Sequence, residues 1–160
     1  MFKRLAIVIA ALFMCVGIAG AQASSVHFKT KGQPVYKDNG LTLSASGSIT
    51  GLGNGDVTVV LTAVGKPIAT CTNPAGANQP PGQNPAEVKL SGTQVIPQNE
   101  IKNGNVSFKV TTGAPQTPIP GAPDCPNSQW REDIIDVVFS SASLSISQGG
   151  SVVLTHSANL

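Results

Sequence analysis

The side chains able to do chemistry are few, and two of them dominate: Cys71 and Cys125. Each sits in a stretch crowded with proline, glycine and asparagine. One stretch runs from 71 to 85 and the other from 113 to 127, and together they hold nine of the twelve prolines. In an oxidising compartment two such cysteines pair by default. A Cys71–Cys125 bond would close a loop of about 55 residues and stabilise the fold by about 4 kcal/mol on a chain-entropy estimate. Two free thiols or a metal pair are the alternatives, but no histidine lies near either cysteine in sequence to complete a metal set. Long loops on a rigid scaffold are where binding residues concentrate. The amides of Asn73, Asn78, Gln83, Asn84, Gln116 and Asn127, with the indole of Trp130, are therefore the candidate binding groups.

Carboxylates form the second concentration: Asp124, Glu132, Asp133 and Asp136, with Arg131 among them. Hard oxygen ligands of this kind could bind calcium, with Asp124 and Asp133 as the candidate ligands, or act as an acid and base on a glycosidic bond. No calcium-loop spacing is met, and aromatic residues to line a sugar site are scarce. Solvated strand ends sharing one arginine explain the same residues more simply. Asn54-Gly55-Asp56 resembles part of a calcium loop, yet an Asn-Gly turn needs only turn geometry to account for it. His27 and His156 lie near opposite ends of the chain and would meet only if the terminal strands pair. No Gly-x-Ser-x-Gly elbow is present. No catalytic residue is assigned, and no cofactor is expected. Asn105-Val106-Ser107 matches a glycosylation acceptor, which matters only in a eukaryotic source.

What must position these groups starts after an export signal. Lys3 and Arg4 precede an uncharged apolar run from Leu5 to Ile18, followed by small-x-small patterns that predict cleavage after Ala21 or Ala23. The run is shorter than the roughly 20 residues a membrane helix needs. Residues 1–23 are thus read as a secretory signal peptide and 24–160 as a single domain. Met14 stands where a lipobox before Cys15 would need a small residue. Removing Lys3 and Arg4 from ten basic residues leaves eight against eight acidic ones, so the mature chain is neutral. A neutral chain with 11% charged residues has no basic footprint for nucleic acid, and no membrane span is expected once the signal is gone.

The rest of the pattern is strand. Leu41, Leu43, Ala45 and Ile49 alternate with hydroxyl residues through Thr50, and Val57, Val59, Leu61 and Ala63 share one face. The glycine-rich 51–55 cluster between them predicts a hairpin joining these two strands. Gly65-Lys66-Pro67 predicts a turn into a short strand, Ile68 to Thr72. Alternation recurs at Ala86–Leu90, with a bulge expected at Gly92, at Val106–Val110 and at Ser151–His156. From Ile134 to Ile146 the phase slips at Ser140-Ser141, which predicts a bulge or kink. Short strands lie near Val26–Lys29 and Val35–Lys37. No window has a helical period. The reading is all-β: an immunoglobulin-like antiparallel β-sandwich, with a small open barrel as the alternative. The inter-sheet cysteine pair of immunoglobulin domains does not fit, because both cysteines border loops. Trp130, five residues after Cys125, is placed either in the core or as a cap on the disulfide. Five aromatics remain in the mature chain (Phe28, Tyr36, Phe108, Trp130 and Phe139), and the phenylalanines fall on strand positions that pack a core.

The function these features imply is a non-catalytic binding or surface module for an unknown extracellular ligand or surface partner. Two alternatives are a secreted hydrolase using the carboxylates near Trp130, and a self-assembling pilin-like or coat subunit.

Overall fold

Strict alternation places the strands, and the longest alternating runs become the central ones. The computed structural model describes residues 25–79, 86–119 and 125–160. Residues 1–24, which include the expected signal peptide, and the 80–85 and 120–124 parts of the two loops, with Gln83, Asn84 and Asp124, lie outside the described residues. The strands are β1 (His27–Phe28), β2 (Val35–Asp38), β3 (Leu43–Thr50), β4 (Val57–Thr72), β5 (Asn78–Gln79), β6 (Val88–Ile96), β7 (Val106–Thr111), β8 (Arg131–Gln148) and β9 (Ser151–Asn159). A 3-10 turn at Gln98–Glu100 is the one helical element among the described residues.

All pairing is antiparallel. In the first sheet β3 is central, with β1 and β2 on one edge and β7 on the other. In the second, β4 pairs β8 along its length, β9 adds beyond β8, and β6 and β5 share the far edge of β4. The core lies between the two sheets. Leu43, Ala45 and Ile49 of β3 and Phe108 and Val110 of β7 meet Val57, Val59, Leu61 and Ala63 of β4 and Val137, Phe139, Leu144 and Ile146 of β8. Each fully buried aliphatic side chain contributes about 1.5–3 kcal/mol relative to exposure. Gly47 faces inward in β3, and its missing side chain makes room for the Phe108 ring, whose atoms lie 2.9 Å from where a Cβ would stand.

Three expectations are corrected. The strands flanking the 51–55 cluster form no hairpin: β3 and β4 belong to different sheets, and the 51–56 link crosses from one to the other with Leu52 buried beneath it. Both strands are central, so each spends its two edges on other partners. The expected turn at Gly65-Lys66-Pro67 does not break the strand. β4 runs on for 16 residues and absorbs the irregularity as register shifts at Val64/Gly65 and Ile68/Ala69. Gly92 is no bulge, because its register with β4 is unbroken. Its function is a close approach: a Cβ there would collide with the Thr111 carbonyl, where β6 and β7 bring the two sheets together. Gly113 donates to the Ser91 carbonyl at 2.9 Å, and the Lys109 backbone N–H donates to Gln94 Oε1 at 2.9 Å, across the same junction. The slip at Ser140-Ser141 is a bulge, as the phase change predicts: Val64 pairs Ser141 and Gly65 pairs Phe139, leaving Ser140 over.

Candidate functional site

β4 and β8 are 16 and 18 residues long, at least twice the 8 residues of β3, so their far ends extend past the first sheet. The register brings Ala69 opposite Ile134, Thr70 opposite Asp133, Cys71 opposite Glu132 and Thr72 opposite Arg131. Cys71, the last residue but one of β4, sits at the strand end bordering the first loop, as expected, and is buried. It forms the disulfide with Cys125, with the Cα atoms 5.5 Å apart. Ile119 is buried here too, at 3% exposure, and Ala69 at 0%, yet neither belongs to the main core between the sheets. The 113–119 segment thus covers the projecting strand ends where no first-sheet strand reaches. Glu132 ties it down: the Ile119 N–H donates to both carboxylate oxygens at 3.3 Å.

The first cysteine loop is more regular than its composition implies. β4 turns back on β5, with Thr72 opposite Asn78. Gly76, at φ 81°, donates to the Asn73 carbonyl at 2.9 Å and closes the turn. Asn73 Oδ1 accepts from the Ala77 N–H at 2.8 Å, and Asn78 Oδ1 accepts from the Thr72 hydroxyl at 2.8 Å. Asn127 Oδ1 likewise accepts from the Gln129 N–H at 2.9 Å. The side-chain carbonyls of these three candidate binding residues therefore shape their own loops, as short amides often do in turns. Trp130 is half-buried, lies outside the main core, and donates its backbone N–H to the Asn127 carbonyl at 3.0 Å.

Two shallow grooves flank the covering segment. One, of about 500 Å³, has Leu41, Glu132, Asp133 and Ile134 on one side and Pro115, Gln116 and Thr117 on the other. The second, of about 450 Å³, runs between Gly113–Gln116 and the start of β6. A third, of about 300 Å³, lies between the Asn73–Gly76 turn and Gln129 and Arg131. Gln116 is exposed and borders the first two. Asp133 is held below the usual carboxylate range, first by the Thr72 hydroxyl and then by Arg131. The Arg131 Nε donates to Asp133 Oδ2 at 3.0 Å in an exposed pair, the kind that contributes little to stability.

Other carboxylates are committed locally. Asp136 Oδ1 accepts from the Val137 N–H at 2.9 Å, beside a register shift. No group of three or more metal-ligating side chains gathers among the described residues. The histidines do not meet through paired terminal strands, because β1 pairs β3 and β9 pairs β8. His156 instead bonds the Tyr36 hydroxyl at 2.9 Å and lies edge-on to Phe28.

No family model matches the chain, nor does any curated protein or solved structure. The disulfide fits an oxidising, extracellular-type environment. No helix among the described residues is long and apolar enough to cross a membrane.

Sequence reasoning missed Glu132 as an anchor, Thr72 as a partner of Asp133, and Thr70, whose buried hydroxyl has no partner among the described residues. All three depend on the β4–β8 register beyond two bulges. The single signal that could have found them is the Pro67 strand read as continuous.

Proposed function

We propose that the chain is an exported, immunoglobulin-like β-sandwich that binds an extracellular ligand or surface partner at its disulfide-clamped end. The observation that carries this reading is the groove between Gln116 and Asp133. Its two walls come from different parts of the chain, and the Cys71–Cys125 bond and the Ile119–Glu132 contact hold them together. A polar groove with fixed walls loses little conformational entropy when filled. The uncommitted amide of Gln116 and the ionised carboxylate of Asp133 would supply orientation, and Leu41 and Ile134 the apolar floor.

The test is binding of the oxidised protein to arrayed glycans and short peptides. A hit is expected to disappear in Gln116→Ala and Asp133→Ala while the thermal transition is retained. Shortening the Asn73–Asn84 loop is expected to weaken the same hit. Binding that survives all three changes would refute the assignment. Turnover of an arrayed glycoside that is lost in Asp133→Asn would replace it with hydrolysis.

A further inference from the structure

Three adjacent rows on the outer face of the second sheet carry no charge, up to a fourth row where Lys89 stands opposite Val64. Register places Val95, Thr58, Ser147 and Val152 in one row across β6, β4, β8 and β9. The next same-face row is Thr93, Val60, Ser145 and Thr155, and the third is Ser91, Thr62, Ser143 and Ser157. Twelve successive grid positions carry only hydroxyls and methyl-bearing side chains, with no charge. No hydrogen bond joins any of the nine hydroxyl side chains to another described residue.

The outer face of the first sheet shows that this is no general property of the chain. There Lys37 and Lys109 interrupt the rows. The hydroxyls also bond one another, Ser44 to Thr111 at 3.0 Å and Ser48 to Ser107 at 2.8 Å. On the second sheet the same residue types stand unpaired and aimed outward, with Val95 and Val152 among them at 61% and 60% exposure.

Protein partners are a poor fit for such a face. Interfaces are depleted in serine and draw their energy from tryptophan, tyrosine and arginine, and the grid has none of these. A stacked sugar needs an aromatic platform, also missing from the grid. A solid of hydrogen-bonded water needs neither. It offers donors and acceptors on a fixed repeat, and it tolerates methyl groups between them. Strands set hydroxyls about 4.8 Å apart across the sheet and about 6.8 Å apart along it. Lysine or aspartate would pull individual waters into its own hydration shell, and the grid contains none. We infer that this face binds ice, with the β4–β8 rows at its centre, where sheet twist of about 20–25° per strand displaces the grid least. The site is separate from the disulfide-clamped groove and stands or falls independently of it.

The test is ice-crystal growth in the presence of purified, oxidised protein, read as recrystallisation rate and crystal faceting. Wild type is expected to slow recrystallisation and facet the crystals. Thr62→Tyr and Ser143→Lys, checked for an unchanged thermal transition, are expected to lose both effects. Ser46→Lys, on the outer face of the first sheet, is expected to keep them. Ice growth unchanged by wild type would overturn the inference. So would activity retained in both grid variants. Retention on crystalline cellulose or chitin, or a dimer in sedimentation, that the grid variants abolish while ice growth is unaffected would assign the face to a polysaccharide or to a second copy instead.

Discussion

Replacing both cysteines, Cys71→Ala with Cys125→Ala, tests how the projecting end is held. The bond spans a sequence separation of 54. Loop closure over that length removes about 14 cal/mol/K from the unfolded chain, or about 4 kcal/mol at 25 °C. Alanine is the right replacement at Cys71, because a serine there would bury a hydroxyl. The native contacts around the bond do not pass through it, and the Ile119–Glu132 bond and the Thr72–Arg131 register are expected to remain in the variant. The loss should therefore fall on the unfolded state. At about 3–4 °C per kcal/mol for a domain of this size, the thermal midpoint should drop by about 12–16 °C. Guanidinium and thermal unfolding followed by circular dichroism measure both quantities. Wild type under reductant should match the double variant. A loss below about 1 kcal/mol would refute the reasoning, since the entropy model cannot give so little for a loop of this length.

Gly92→Ala forces a Cβ into the Thr111 carbonyl, and backbone cannot yield as a flexible side chain would. The expected cost is about 1–3 kcal/mol in denaturant unfolding, and a neutral result would disprove the close approach of β6 and β7. Burial raises the Tyr36 phenol above its ordinary value. The protonated form is the one the fold favours, so this contribution to stability is complete below the unfolded value of about 10 and is lost as pH rises through the folded one. Tyr36 is the single tyrosine of the chain, so phenolate absorbance reports it alone, and a midpoint at or below the ordinary value would contradict its burial beside His156. Ile119→Ala should open the projecting end without loosening the sandwich. Amide exchange is expected to accelerate at Ala69–Thr72 and Arg131–Ile134 and to stay slow at Val59, Leu61 and Leu144; uniform acceleration would show that the end is no separate unit.

Much of the secondary structure is legible in the sequence, because period-two alternation reports which side of a strand is buried. It does not report which neighbour a strand takes. β3 and β4 alternate cleanly, are joined by a glycine-rich link, and still lie in opposite sheets. The pairing follows from competition among all the strands for edges, a non-local quantity. The disulfide is legible from cysteine count and compartment, whereas the burial of Cys71 is not, because Pro67 reads as a strand end. The structure keeps Pro67 beside a register shift, where a bulged ladder tolerates it. At the candidate site the composition marks the loops but not the local bonds their amides make. Asn73, Asn78 and Asn127, read as candidate ligand amides, accept local hydrogen bonds at their side-chain carbonyls. The Tyr36–His156 contact spans 120 residues and leaves no local trace.

Two strands that outrun their opposing sheet create a physical problem, and the cysteine loops are its solution. Ala69 and Cys71 face a region that β3 and β7 do not reach, so their apolar surface needs another cover. A flexible segment would cover it poorly, because ordering each residue costs about 1–2 kcal/mol of backbone entropy. Proline lowers that cost in advance by restricting the unfolded chain. The disulfide lowers it again by shortening the excursions available to the segment. The density of proline near Cys125 thus has a structural cause that owes nothing to a ligand. The same cause leaves an open surface as a by-product: a cover made of loop in place of strand has no ladder to complete. Its outward groups, Gln116 foremost, stay free to meet solvent or a partner. Rigidity and openness then come from one arrangement, which is why the end that most needed a lid is also the end proposed to bind.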